Sequence, residues 1–344
     1  EPAEAHHRQQ YLGGDRERGK FERAEMTDDR GVDQQVERFG HEASERRDRQ
    51  GDDPAVESLR AGHDGAVLRL RLFHAADGAR IAYREGGTGR PLVLWHSAGL
   101  SHREFRPAAG ELLDRMRVVL PDLPLHGDSE DGAAFPYEVD WAARLIAECT
   151  RDVGGARPRV GGSGVGGQLV LRAVQRGWLE PSRLVLLPGH LHRPPPARIG
   201  RSVARIAARA AAPAGPLAAR AVVRAAVRPE LAGRGSLTPG TDALVDGSRR
   251  ALVEAADRTA AWRKLIAVWE PGEFRDLIGA YASVDCPTLV LWGADTPATP
   301  RRAADEAADL IDDVLLRELS STGPLLAHED PVGFARELTA FLRG

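Results

Sequence analysis

Five short, mostly apolar stretches set the first constraint: "PLVLWH" (91–96), "RVVLPD" (117–122), "RPRVGG" (157–162), "RLVLLPG" (183–189) and "PTLVLWG" (287–293). A strand with one wet face alternates apolar and polar residues. A strand that is apolar throughout is buried on both faces, as in a parallel sheet covered by helices. "AVLRLRLF" (66–73) does alternate, and it can pair with "RIAYRE" (80–85) across the Asp77–Gly78 turn. "DVLLREL" (313–319) is read as a last strand, and helical stretches are expected over 103–115, 139–152, 166–177, 301–311 and 331–343. Strands alternating with helices predict an α/β domain.

That pattern covers only part of the 344 residues. Residues 1–66 are dense in Arg, Asp, Glu and Gln without an apolar run to bury, which predicts a disordered, charged N-terminal extension ahead of a domain at 67–344. The sequence begins without methionine, Met26 being the first, as an upstream extension or a fragment start would. From about 193 to 280 helical runs are cut by Pro and Gly with no strand among them, which predicts a helical lid inserted between two buried strands. No apolar segment reads as a secretory signal or a membrane span, so no membrane partner is expected. Cys149 and Cys286 sit in unrelated contexts and make no disulfide framework, which points to a reducing cytoplasm. A net charge of −3 gives no general attraction to nucleic acid.

The order of motifs resembles the α/β-hydrolase superfamily over about 67–344. "LVLWHSAG" resembles the strand that runs into the oxyanion loop, with Ser97 where the family usually has glycine. "LPDLPLHGDS" (120–129) resembles its Asp-x-x-Gly-His-Gly-x-Ser loop, with Leu125 for the first glycine. "CPTLVLWGADTPATP" resembles the strand that carries the acid, and "STGPLLAHEDPVGFARELTAFL" the segment that carries the histidine and the closing helix. The resemblance implies a mostly parallel central sheet with helices on both faces. It also implies an oxyanion hole built from the backbone N–H groups of Ala98 and Val165.

The nucleophile of such a fold sits at a strained strand-to-helix turn that needs tiny residues two before and two after it. In "VGGSGVGG" (160–167), an apex at Ser163 would put β-branched Val165 in a tight position, whereas an apex at Gly164 puts Gly162 and Gly166 there. The apex is therefore read as Gly164, which has no side chain. Counted from Gly293 the acid position falls on Thr296, and counted back from Glu329 and Pro331 the histidine position falls on Pro324. All three triad positions read as substituted, so the usual Ser-His-acid mechanism has no members.

The remaining polar residues follow the carboxyl ends of strands, where open α/β sheets bind ligands. His96, Ser97, Ser101 and His102 come after the third strand, Asp122, His126 and Asp128 after the fourth, and His190 and His192 after the sixth. His96 and His102 are the first candidates for general acid–base catalysis. Asp122 and His126 match family positions that are mostly structural. His190 and His192 could pair on a metal but lack a third ligand, and no metal or cofactor is expected. Ser97, Ser101, His126, His190, His192 and Asp295 are expected to line the substrate site. Arg198, Arg201, Arg205 and Arg209 share one helical face in a stretch (193–228) without an acid. That face is either solvated or suited to an anionic carrier protein or a coenzyme A thioester.

Three functions stay open. The first is non-hydrolytic acid–base chemistry (elimination, cyclisation or isomerisation) on a small apolar carbonyl, ester or thioester. The second is a catalytically inactive binding protein. The third is an esterase with a shifted triad of Ser163, Asp295 and His328.

Overall fold

The structure, a computed structural model, describes residues 68–130, 132, 134–193, 244, 256–269 and 272–343. The charged extension expected at 1–66 lies outside them. Eight strands form one sheet: β1 (Arg69–His74), β2 (Arg80–Gly86), β3 (Pro91–Trp95), β4 (Arg117–Pro121), β5 (Arg159–Gly162), β6 (Arg183–Leu186), β7 (Thr288–Gly293) and β8 (Val314–Leu319). Their spatial order is β1-β2-β4-β3-β5-β6-β7-β8. β1 and β2 are antiparallel to each other, β2 is antiparallel to β4, and every later pairing is parallel. The expected turn closes the first hairpin, with Gly78 at φ 85° and the Asp77 carboxylate accepting from the Ala79 N–H.

The uniformly apolar strands are buried on both faces, as their composition requires. Leu92 and Leu94 of β3 join one core, and Val93 and Trp95 join the other. Leu289 and Leu291 of β7 face the first of these cores, Val290 and Trp292 the second. Helices α1 (Arg106–Leu112) and α7 (Pro331–Arg343) cover one side. Helices α2 (Val139–Gly154), α3 (Val165–Gln175) and α5 (Ala298–Leu310) cover the other, with a 3-10 stretch at Arg275–Ser283. The short α6 (Leu326–Glu329) leads into α7. Connections of this kind keep the carboxyl ends of β3 to β7 on one edge, where their loops meet.

Of the insertion expected over 193–280, the described parts are helical: α4 (Ala256–Val268) and most of the 3-10 stretch. Trp262 of α4 packs with Leu125 and Tyr137 over the loop after β4. Arg198, Arg201, Arg205 and Arg209 lie outside the described residues. Among those described, no helix is long and apolar enough to cross a membrane.

Phe334 of α7 is fully buried and its ring stacks on Phe105 at 6.2 Å between centroids, joining the last helix to the start of α1. Phe334→Ala should cost about 3–5 kcal/mol, the usual penalty for an emptied aromatic site. Equilibrium urea denaturation measures it, and a loss below about 1 kcal/mol would show that α7 does not hold this face together.

Candidate active site

The turn between β5 and α3 decides which residue stands at the apex. Gly164 has φ 51° and ψ −123°, a conformation that favours glycine, and it caps α3. A Cβ on Gly162 would lie 2.4 Å from the Gly167 nitrogen, and one on Gly166 would lie 2.5 Å from the carbonyl oxygens of Trp95 and His96. Only glycine fits either place, so the steric demand that selects the register is met on both sides of Gly164. Opposite the apex, a Cβ on Gly189 would come within 2.7 Å of the Gly164 Cα. His190 follows directly and is buried.

Ser163 does not face this space. It is 1% exposed, and its hydroxyl turns to the Pro188 carbonyl at 3.5 Å. The other members of the shifted triad are elsewhere. Asp295 is exposed beyond β7, and the His328 ring donates through Nε2 to the Arg103 carbonyl at 2.9 Å. The structure therefore does not assemble Ser163, Asp295 and His328 into a relay. Thr296, at the counted acid position, spends its hydroxyl on the Gly293 N–H at 3.2 Å, and Pro324 is buried beside Leu325.

The oxyanion loop is tied down at all but one of its amides. Ser97 N–H donates to Glu104 at 2.7 Å, Gly99 N–H to His126 Nε2 at 2.9 Å, and Leu100 N–H to the Ser97 carbonyl at 3.2 Å. Ala98 N–H has no acceptor among the described residues, and neither has Val165 N–H at the start of α3. Both residues are half-buried while their neighbours are fully buried. Two unfilled donors at an opening, one of them at a helix N-terminus, suit a developing negative oxygen.

The histidines divide sharply. His96 is fully buried and both ring nitrogens are used, with Nδ1–H donating to the Ser97 carbonyl (2.8 Å) and Nε2 accepting from the Leu123 N–H (2.9 Å). Burial lowers its pKa to about 4, against the opposing pull of Asp122. His126 is engaged the same way, with Nδ1–H on the Pro124 carbonyl (2.8 Å) and Nε2 on Gly99, and burial lowers it to about 3. These two rings brace loops, with both nitrogens of each engaged within the protein. His192 is likewise occupied, by Tyr281 Oη and Glu306 Oε2 at 2.8 Å each, and serves as a strut to α5. Ser97 and Ser101 are spent on local bonds, to Glu104 and to the Arg103 N–H.

His102 differs. Its Nδ1 lies 3.0 Å and 3.1 Å from the two oxygens of Asp122, and its own backbone N–H donates to the same carboxylate at 2.7 Å. Burial pushes Asp122 up, but the charges and hydrogen bonds of His102, with His96, outweigh it and hold the carboxyl well below the usual range. An ionised carboxylate only accepts, so Nδ1 carries the hydrogen, and in the neutral tautomer that fits this contact the lone pair lies on Nε2. Nε2 has no partner among the described residues, and the side chain is 10% exposed. A histidine oriented by a buried carboxylate, on the loop that presents the Ala98 N–H, has the makings of a general base. Among the described residues no cluster of three or more His, Cys, Asp or Glu could hold a metal.

Glu104 was not among the candidates. It is 2% exposed, and burial raises its pKa against the hydrogen bonds of Ser97 and Ser163. The available signal was Ser101-x-x-Glu104, a capping-box spacing. The structure sends the carboxyl to Ser97 rather than back to its own helix start.

His96 and His126 supply a pH dependence. Each has a folded pKa below the ordinary value near 6.5, so between there and about 4 or 3 the unfolded chain binds a proton that the folded one refuses. Stability is complete above about pH 7 and falls as acid is added. At pH 5 each buried ring should cost about 2 kcal/mol relative to pH 7, and the two costs should add because both folded rings are neutral there. Urea midpoints at the two pH values measure this, and equal midpoints would mean that the rings are not buried and neutral.

A sequence profile described as "Alpha/beta hydrolase family" matches residues 92–337. Among solved structures, an α/β hydrolase fold protein from Burkholderia ambifaria is 25% identical, with a TM-score of 0.65 over 80% of this chain and 99% of that one. An enol-lactonase from Burkholderia xenovorans is 19% identical, with a TM-score of 0.62 over 80% of this chain and all of that one. An esterase from Thermogutta terrifontis is 22% identical, with a TM-score of 0.61 over 80% and 98%. The curated haloalkane dehalogenase 2 of Mycobacterium tuberculosis is 37% identical over 84 residues, which is 24% of this chain and only 29% of that protein. With the strand order, the glycine-lined apex and a profile match spanning most of the sheet, the chain belongs to the α/β hydrolase family.

Proposed function

We propose that this protein binds a small, largely apolar carbonyl compound with its oxygen on the Ala98 and Val165 N–H groups, and that His102 is the base that acts on it. The observation that carries the reading is the His102–Asp122 pair, with Nδ1 fixed by a buried carboxylate and Nε2 left without a partner among the described residues. The apolar preference rests on the leucines nearby: Leu100 at the oxyanion loop, Leu325 beyond Pro324, and Leu244, which cluster together.

With glycine at the apex, no side chain can form the acyl intermediate that a serine would form. What remains is direct base catalysis. In one form Nε2 takes a proton from water, the hydroxide adds to the carbonyl carbon, and the oxyanion rests on the two N–H groups. Collapse then expels the leaving group, which recovers the proton from His102. In the other, Nε2 takes a proton from carbon next to the carbonyl and the same N–H pair holds the enolate, leading to elimination, cyclisation or isomerisation. The names of an esterase and an enol-lactonase among the similar structures favour the first form. The missing nucleophile is what favours the second.

A panel of small esters, lactones and enolisable ketones tests this, the ketones by deuterium uptake from solvent. His102→Gln should lower whichever turnover is found by about 10²–10⁴-fold. A fluorophosphonate should leave the wild type unlabelled. Unchanged turnover in His102→Gln would sink the proposal, and labelling at Ser163 would revive the shifted triad. Binding without turnover of any kind would leave a receptor in place of an enzyme.

A further inference from the structure

Helix α4 reaches the oxyanion loop through one imidazole. Trp262 of α4 is 3% exposed, and its indole meets His126 edge to face, with centroids 5.0 Å apart and ring planes at 76°. His126 in turn spans two loops. Its Nδ1–H donates to the Pro124 carbonyl of its own loop at 2.8 Å, and its Nε2 accepts from the Gly99 N–H at 2.9 Å. Gly99 directly follows Ala98 and stands at φ 80°. A chain of direct contacts therefore runs from the inserted helix to the residue beside the proposed oxyanion donor.

The seat for the indole is built under strain. Leu125, directly before His126, has φ 69°, a left-handed backbone that a leucine rarely adopts, at the position where the family usually has glycine. Its side chain is fully buried in a cluster with Trp262, Ala261 and Tyr137. Glycine would take this backbone freely, so what leucine adds is the apolar contact with α4. On the other side of His126, Arg258 of α4 donates to the Gly127 carbonyl at 3.1 Å. Just beyond the helix end, the Trp269 Nε1–H donates to the Tyr137 carbonyl at 2.6 Å.

From this we infer that Trp262 is a positioning residue, which holds the His126 ring on the Gly99 N–H and so fixes the direction of the neighbouring Ala98 N–H. The inference rests on the proposed role of that N–H in binding the substrate oxygen. Trp262 touches no substrate in it. Its Nε1–H is buried and makes no hydrogen bond among the described residues, so the ring and not the N–H carries the role. Without the indole, water competes for Nε2 and the imidazole gains freedom to turn. The oxyanion loop then keeps its binding geometry only while α4 is docked.

Amide hydrogen exchange and carboxylate-induced amide shifts, measured on the full chain, test this. Trp262→Leu keeps apolar volume over Leu125 but removes the ring. It should speed exchange at Gly99 about three- to tenfold, the range an aromatic pair supports, while Val93 and Val160 in the sheet exchange as in the wild type. Trp262→Phe keeps a ring and should restore most of the protection. Cyclohexanecarboxylate is the oxyanion probe: the wild-type Ala98 and Val165 amides should shift at the same concentration, and Trp262→Leu should weaken that response by a similar factor. Unchanged exchange at Gly99 in Trp262→Leu or, should that variant not fold, in Leu125→Gly overturns the inference whether or not the carboxylate binds. Equal acceleration at Gly99, Val93 and Val160 also overturns it, since that reports only a less stable fold, and so does Trp262→Phe behaving like Trp262→Leu. If the wild-type amides ignore the carboxylate, the proposed hole fails and the inference falls with it; if they respond alike in wild type and Trp262→Leu, the inference alone falls.

Discussion

The loops above this sheet are organised around one buried charge. Asp122 is fully buried at the end of β4, where an unpaired carboxylate would be prohibitively costly. It is met by the His102 N–H and Nδ1–H and, from its own loop, by the Asp128 N–H at 3.1 Å. Gly127 must be glycine for the loop to wrap it, since a Cβ there would lie 2.1 Å from a carboxylate oxygen. Those bonds join the loop after β3 to the loop after β4. Taking away the carboxylate would strand its donors and free the turn on which His102 and Glu104 ride.

A second buried carboxyl, Glu104, ties the loop after β3 to the 3-10 turn that follows it, accepting from the Ser97 N–H and hydroxyl. Neither acid needs to touch a substrate. Among the described residues, His102 Nε2 and the Ala98 and Val165 N–H groups have no hydrogen-bond partner. That pattern is what distinguishes His102 from His96 and His126, which have the same side chain in the same neighbourhood.

Much of this was legible in the sequence. The strands read from uniform apolar runs fall within a few residues of where they stand, because burial on both faces is a demand each strand makes by itself. The glycines of the turn after β5 answer a local steric demand as well, since a Cβ on Gly166 would lie 2.5 Å from the Trp95 and His96 carbonyl oxygens. The histidines were not legible. Which ring nitrogen stays free depends on the Leu123 amide for His96, the Gly99 amide for His126 and the Glu306 carboxylate for His192, partners 27, 27 and 114 positions away.

The sequence by itself determined the strand set, the helices between the strands and a glycine at the turn, since periodicity and excluded volume act between near neighbours. Only the tertiary structure decided that His102 Nδ1 meets Asp122, that the Ser163 hydroxyl turns to the Pro188 carbonyl, and that Glu104 leaves its helix start to accept from Ser97. Those outcomes are competitions for hydrogen-bond partners among segments brought together by folding, and no short window of sequence contains both competitors.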